Sequence, residues 1–269
     1  MYWFLGGDSR SLWAVEQFRQ RGLTVHCHNV PGLPHEALPS HIPCLILPAP
    51  SFVKSKIPGC PELTLEELLN KLDADSRVYC MKVEALAQAA QERGAQVTDL
   101  YNSEPYTTRN ALATAEGAIY LAMRHSPMTV RDSACLVIGA GRIGSLLSEK
   151  LSALGANVTL CARRPKDRAL GEARGLDSDE TGMYRKGLSH YDFLFNTVPA
   201  PVLTGSQLQQ LKNGCVLVEL ASAPGGFDPA ECDTLNLQVL SAPGLPGSYC
   251  PKSAGEYYAS AILEKEGVL

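Results

Sequence analysis

The sequence predicts an α/β protein made of two doubly wound parallel-sheet domains, and three observations predict it. Strand-length apolar runs alternate with helix-period segments in two separate series. One long helical segment divides the series, and the second series opens on a Gly-rich turn between a strand and a helix. The length of 269 residues suits nearly two domains at about 150 residues each.

The first series begins with a strand over Tyr2–Leu5. Asp8 then caps a helix with Leu12, Val15 and Phe18 on one face. Strands follow at Thr24–His28 and Cys44–Leu47, the latter ending in Pro48-Ala49-Pro50. A helix over Leu65–Leu72, a strand over Arg77–Cys80, a helix over Val83–Arg93 closed by Gly94, and a strand over Gln96–Leu100 complete the series. Five strands joined this way suit a flavodoxin-like sheet.

A helix over Thr108–Arg124 is the expected connector, with Leu112, Ala115, Ile119, Ala122 and Met123 repeating at helical period and Pro127 ending it. Its other side carries Asn110, Thr114 and Gly117, a small and polar stripe that suits either close helix packing or a cleft. The second series then reads as strand Ala134–Ile138, helix Ile143–Leu154 and strand Asn157–Cys161. Strand Asp192–Asn196, helix Gly205–Leu211 and strands Cys215–Leu220 and Gln238–Leu240 follow. The polar stretch Asp167–Ser189 reads as loop with a short helix, and Ser253–Glu264 as a terminal helix. The expected domains are residues 1–124, with the connecting helix, and residues 125–251. The terminal helix at 252–269 is expected to pack back on the first domain.

Composition narrows the function. A net charge of −4 leaves no broad basic surface, which argues against nucleic acid as a partner. No apolar run approaches about 18 residues, so no membrane span is expected. Nine scattered cysteines without a CxxC pair suit reduced thiols and a cytoplasmic chain. His26-Cys27-His28 could suggest a metal, but in a strand Cys27 points away from both histidines, so no metal is expected.

Chemistry enters with Gly139-Ala140-Gly141-Arg142-Ile143-Gly144, which leaves a strand and opens a helix. Gly139 serves the tight turn, Gly141 lets backbone approach a pyrophosphate, and Gly144 lets the helix pack on the strand. The helix N-terminus offers amides and partial positive charge to phosphates. This is a Rossmann NAD(P)-binding domain in expectation. Ala162-Arg163-Arg164 follows 18 residues after Gly144, where NAD enzymes usually place a carboxylate. The neutral Ala162 and two arginines favour the 2′-phosphate of NADP over NAD. Further strand ends, Thr197-Val198-Pro199 and Ala221 with its neighbours, are expected to complete the cofactor rim.

Two cations stand in first helical turns, where the helix dipole disfavours them: Arg10 after Gly6-Gly7-Asp8-Ser9, and Lys252 after Pro251. Placed on opposite domains and facing one cleft, they suit a small substrate with two carboxylates. Asn110, Thr114 and Ser253 join them as substrate-binding candidates, with Lys54, Lys56 and Arg109 weaker. Lys252 and Glu116 are the catalytic candidates, and His125 and Tyr249 are further possible bases.

In these residues the chain resembles the dipicolinate synthase A subunit family. The matching pieces include Gly6-Gly7-Asp8-Ser9-Arg10, Asn110 with Thr114-Ala115-Glu116-Gly117, the Gly139–Gly144 fingerprint, and Asn196-Thr197-Val198-Pro199. Leu220-Ala221-Ser222-Ala223-Pro224-Gly225-Gly226 and Ala242-Pro243-Gly244-Leu245-Pro246-Gly247 through Pro251-Lys252-Ser253-Ala254-Gly255-Glu256 extend the match. The resemblance implies an oxidoreductase subunit using a nicotinamide cofactor beside a flavoprotein-like B subunit. It implies formation of pyridine-2,6-dicarboxylate from a dihydro- or hydroxytetrahydro-dipicolinate during sporulation. Self-association into a homo-oligomer stays open. Two other readings compete. A 2-hydroxyacid dehydrogenase would need an Arg after the strand at Cys215–Leu220 and a His after the last strand, where this chain has Ala221-Ser222-Ala223-Pro224 and Ala242-Pro243-Gly244. A non-catalytic NADP-binding sensor or scaffold would need no acid–base residue at all.

Overall fold

The computed structural model describes residues 1–82 and 84–269. The expected helix start at Val83 lies outside them. The chain divides into two compact units, Met1–Asn110 with Pro246–Leu269, and Ala111–Leu245.

The first unit is built on β1 (Tyr2–Leu5), β2 (Val25–His28), β3 (Cys44–Ile46), β4 (Arg77–Cys80) and β5 (Gln96–Asp99). They pair in parallel in the order β2-β1-β3-β4-β5, the flavodoxin-like order. Alternation along β1 sends side chains to opposite faces. Tyr2 and Phe4 pack with Ala14, Val15 and Phe18 of α1 (Ser9–Arg19). Trp3 and Leu5 pack with Leu68 and Leu69 of α2 (Leu65–Leu69) and with Leu86 and Ala90 of α3 (Glu84–Glu92). On α1 the buried positions are Ser11, Ala14, Val15 and Phe18, while Leu12 is only half-buried. The expected face is therefore rotated. The reason is the later helix α10 (Pro251–Lys265), which lies against α1 and needs small groups between. A Cβ on Gly255 would overlap the Arg10 carbonyl oxygen and lie 2.8 Å from Trp13 Cβ, so only glycine permits that approach.

The chain's last turn is fastened to the same unit. The Glu266 carboxylate, 2% exposed, accepts hydrogen bonds from Tyr2 Oη at 2.9 Å and Tyr79 Oη at 2.5 Å and pairs with Arg77 at 2.7 Å. Burial, then the hydrogen bond to Glu266, pushes the Tyr2 phenol up to about 12.

The second unit takes most of α4 (Glu104–Arg124), then β6 (Ala134–Ile138), α5 (Arg142–Ala153), β7 (Asn157–Cys161), α6 (Pro165–Ala173) and β8 (Asp177–Asp179). It continues through β9 (Phe193–Asn196), α7 (Gly205–Leu208), β10 (Val216–Glu219), α8 (Pro229–Thr234), β11 (Val239–Ser241) and into α9 (Leu245–Tyr249). All six strands are parallel, in the order β11-β10-β9-β6-β7-β8, which is the Rossmann order. Leu136 stands opposite Leu194 on β9 and Thr159 on β7, so β6 lies at the point where the strand order reverses.

Several boundaries differ from expectation. The division falls between Asn110 and Ala111, not after Arg124, because Ala115, Ala118, Ile119, Leu121 and Ala122 of α4 pack with Cys135, Val137, Leu147 and Leu151. The helix also starts at Glu104, four residues ahead of Thr108, with Pro105 tolerated in its first turn. The stretch expected as loop after Asp167 contains the rest of α6 and the strand β8, paired with β7 through Thr159 and Asp177. The Asp-Ser-Asp sequence of β8 has no apolar alternation, and an edge strand requires none.

Eight of the nine cysteines are buried as free thiols. Burial pushes Cys44, Cys80, Cys161 and Cys215 up to about 12 and Cys135 to about 11, from 9.0. Between pH 9 and 12 the unfolded chain therefore loses thiol protons that the folded chain keeps. The unfolded state binds fewer protons there, so stability falls as pH rises. Denaturant melts at pH 8, 9, 10 and 11 are expected to show midpoints flat to pH 9 and falling beyond it, and a constant midpoint would contradict this.

Candidate functional site

Within the second unit, a groove of about 420 Å³ opens at the carboxyl ends of β6, β7 and β9. Its lining includes Gly139, Gly141, Ala162, Arg163, Arg164, Thr197, Val198 and Pro199, all eight read from the sequence as cofactor residues. Three glycines play three separate roles there. Gly139 sits at φ +104°, and a Cβ on it would overlap Thr197 Oγ1. A Cβ on Gly144 would overlap the Gly139 carbonyl oxygen. Gly141 has nothing within 4 Å of its Cβ position, so it borders open space. Gly141 is also the N-cap of α5, and no side chain caps that helix. An uncapped helix N-terminus beside an open glycine is a seat for a phosphate. These features fit a dinucleotide, which Arg142 and Ile143 would meet from the first turn of α5.

The rim is held by hydrogen bonds inside the unit. Thr197 Oγ1 donates to the Ile138 carbonyl at 2.9 Å. The fully buried Asn196 donates from Nδ2 to the Val198 carbonyl at 2.9 Å and to Glu219 Oε1 at 2.7 Å, and accepts from Val198 N–H at 3.0 Å. Glu219 also accepts from the Ala221 and Gly226 amides at 3.0 and 2.7 Å. One carboxylate thus ties the loops after β9 and β10 together. Asn196 and Glu219 are supports for the rim, and their place at strand ends was the available sequence signal.

The two arginines differ. Arg164 is clamped by Asp167, with Nε to Oδ2 at 2.6 Å and Nη2 to Oδ1 at 3.1 Å. Arg163 is exposed and makes no ion pair among the described residues. Its backbone carbonyl is held by Arg168 Nη1 at 2.9 Å. Thr181 also lines the groove, and sequence reasoning missed it because it lay in the stretch taken as loop. Ala221 does not line the groove. It borders a second cavity of about 350 Å³ with Phe227, Cys232 and Asp233, because the Glu219 carboxylate draws its amide inward.

Arg10 and Lys252 lie in the same unit and not on opposite ones, since α10 packs on α1. Arg10 is gripped by Asp8, Nε to Oδ1 at 2.9 Å and Nη2 to Oδ2 at 2.6 Å, while Asp8 also caps α1. Burial alone would raise the Asp8 carboxyl, but the Arg10 hydrogen bonds and charge outweigh it and hold the group low. Gly247 closes on this pair, its Cβ position 2.8 Å from both Arg10 Nε and Asp8 Oδ2. Lys252 Nζ stands 5.2 Å from the Trp13 ring centroid, a cation–π contact that offsets its unfavourable place at a helix start. Ser253 and Asn110 are half-buried and Thr114 is buried. Gly117 packs against Leu245, 3.1 Å from its Cβ, so at this position the stripe is a helix contact.

Six other candidates lie on the exposed surface. Glu116 is exposed and paired with Lys150 at 2.7 Å. His125 is exposed and bonded through Nδ1 to the Leu121 carbonyl at 2.9 Å. Arg109 pairs with Glu264 at 3.9 Å, and Lys54 and Lys56 stand on an exposed hairpin. Tyr249 is 38% exposed, in α9.

The strand order, the fingerprint and the uncapped α5 define an NAD(P)-binding Rossmann domain, and similarity to known proteins makes the chain a dehydrogenase-type enzyme. The family model for the NAD binding domain of D-isomer specific 2-hydroxyacid dehydrogenases matches residues 116–224. Over nearly its whole length the chain is similar to the dipicolinate synthase A subunit of Bacillus subtilis (strain 168), 27% identical across 96% of this chain and 93% of that protein. The crystal structure of the dipicolinate synthase A subunit from Bacillus halodurans superposes with a TM-score of 0.86 at 24% identity, covering 98% of this chain and 97% of that one. The crystal structure of the Bacillus subtilis protein gives 0.85 at 25% identity, covering 99% and 95%. No helix among the described residues is long and apolar enough to cross a membrane.

Proposed function

We propose that this chain is an NADP-dependent oxidoreductase that forms pyridine-2,6-dicarboxylate from a dihydro- or hydroxytetrahydro-dipicolinate. The observation that carries the reading is similarity to the dipicolinate synthase A subunit through both units, not through the dinucleotide domain alone. That relative is by its name one subunit of a larger enzyme, which supports a partner chain, here taken as a flavoprotein-like B subunit.

Bound NADP supplies the hydride acceptor. The chain's part is to hold and orient. Gly141 and the first turn of α5 would take the pyrophosphate, and Arg163 the 2′-phosphate. The turn Thr197-Val198-Pro199, kept rigid by Asn196 and Glu219, would border the nicotinamide ribose. Arg10, whose Nε and Nη2 are held by Asp8, would take one substrate carboxylate through Nη1. Lys252 would take the second carboxylate, with Asn110, Thr114 and Ser253 as further substrate contacts. From the dihydro compound, loss of hydride and a proton makes the ring aromatic, and the hydroxytetrahydro compound must first lose water; in both cases much of the driving force resides in the substrate.

One observation favours the second reading, a sensor or scaffold. Among the described residues lining the groove, Asp167 is the sole carboxylate, and Arg164 occupies both its oxygens. Purified chain given dihydrodipicolinate and NADP, with and without the partner, decides between them. Formation of both NADPH and dipicolinate is expected. Dinucleotide binding without turnover under either condition supports the sensor, and turnover of 2-hydroxy acids instead overturns the substrate assignment.

Lys252→Ala is expected to cut kcat/KM about tenfold or more, since hydrogen bonds to charged groups contribute about 1.5–3 kcal/mol. NADP affinity should stay within about twofold, as an unaltered phosphate seat requires. Unchanged kinetics would leave Lys252 as a surface cation resting on Trp13.

A further inference from the structure

The first unit gathers a mixed set of metal-ligating groups that the dinucleotide chemistry does not use. A His28 ring nitrogen, Cys60 Sγ and a Glu62 carboxylate oxygen all lie within 4.8 Å of one another. His28 ends β2, and Cys60 and Glu62 belong to the loop between β3 and α2. That loop folds back on the carboxyl end of β1, where the Gly7 amide donates to the Pro58 carbonyl at 2.6 Å. A Cβ on Gly59 would stand 2.9 Å from Gly6 Cα, so the approach depends on glycine.

Each ligand is already oriented. His28 Nδ1 lies 2.9 Å from the Glu36 carbonyl oxygen, which can only accept, so in the neutral ring Nδ1 carries the proton and Nε2 is the atom left to ligate. A backbone carbonyl of this kind fixes the tautomer of metal-binding histidines in general. Asn29, at φ +54°, donates from Nδ2 to Glu62 Oε1 at 3.0 Å and leaves the other carboxylate oxygen without a partner among the described residues. The Cys60 thiol makes a long contact to the His28 carbonyl at 3.7 Å and has the Asn29 side chain beside it as well. The three ligands grade from buried Cys60 through half-buried His28 to exposed Glu62, which gives an ion a way in.

We propose that His28, Cys60 and Glu62 bind a divalent cation of the zinc class, with a water in the fourth position. The donor set of one sulfur, one nitrogen and one oxygen suits a borderline-soft ion over calcium or magnesium, which take oxygen alone. Binding expels the Cys60 proton, and a thiolate, a carboxylate and a neutral imidazole then balance the ion's two positive charges. Tetrahedral bonds of about 2.0–2.3 Å set ligand atoms about 3.3–3.8 Å apart. The exposed Glu62 has the freedom to close that distance. The ion would fasten the loop to the end of β2. His28 finds its partners not in the adjacent Cys27 and His26 but more than thirty residues further along.

The test is titration of the chelator-treated full chain with Co²⁺. A thiolate-to-cobalt charge-transfer band saturating at one ion per chain is expected. C60S should abolish the band, and C250S should keep it. E62Q, a change at an exposed position, should leave the melting curve of the metal-free chain in place and weaken Co²⁺ binding about tenfold or more, at least the loss typical of a supporting residue. Absence of the band in the unmodified chain, its survival in C60S, or unchanged affinity in E62Q would each overturn the proposal.

Discussion

Gly144→Ala is expected to lower stability by about 3 kcal/mol and NADPH affinity at least tenfold. The added methyl would meet the Gly139 carbonyl, which is backbone and cannot rotate away. Either α5 shifts off β6 or the turn that borders the phosphates deforms, and both disturb the same seat. Gly141→Ala is the matching control. Its φ of −78° suits any residue and nothing lies within 4 Å of the Cβ position, so the free protein should melt at the same temperature. Its NADPH affinity should still fall, because the methyl occupies the space a pyrophosphate needs. Thermal melts and NADPH fluorescence titrations on both variants separate packing from binding. If Gly141→Ala bound NADPH normally, the open glycine would have no part in the site.

Arg163→Asp is expected to weaken NADP binding by about a hundredfold while NAD binding changes by less than about threefold, since it removes charge-assisted bonds and adds repulsion. The two arginines were equivalent as sequence. They are unequal in the fold, because Arg164 already spends its fork on Asp167 and Arg163 has no ion-pair partner among the described residues. Arg164→Ala should accordingly cost NADP affinity several-fold less than Arg163→Asp. Calorimetric titration of both variants with both dinucleotides reads this directly, and equal losses for NAD and NADP in Arg163→Asp would refute the preference for NADP.

Legibility followed the locality of the cause. β1, β4, β6 and β7 have the bounds their apolar runs predict, since a buried parallel strand is apolar along most of its length. The fingerprint was legible because its three glycines are local geometry, a turn, an opening and a close approach within six residues. The edge strand β8 was not, because its pairing is written in β7 and not in its own Asp-Ser-Asp. The ion pair of Glu116 was illegible for a related reason: its partner, Lys150, lies on another helix 34 residues away.

The two parallel-sheet series, the dinucleotide turn and the resemblance carried by the motifs are legible in the chain alone. All of these rest on periodicity or on residues adjacent in the chain. Tertiary structure alone decided which cations are engaged, where the units divide, and that Arg10 and Lys252 belong to one unit. It also brought His28 to Cys60 and Glu62. Those outcomes depend on pairs of groups separated along the chain, and a pairing energy exists only once folding has brought both groups to one place.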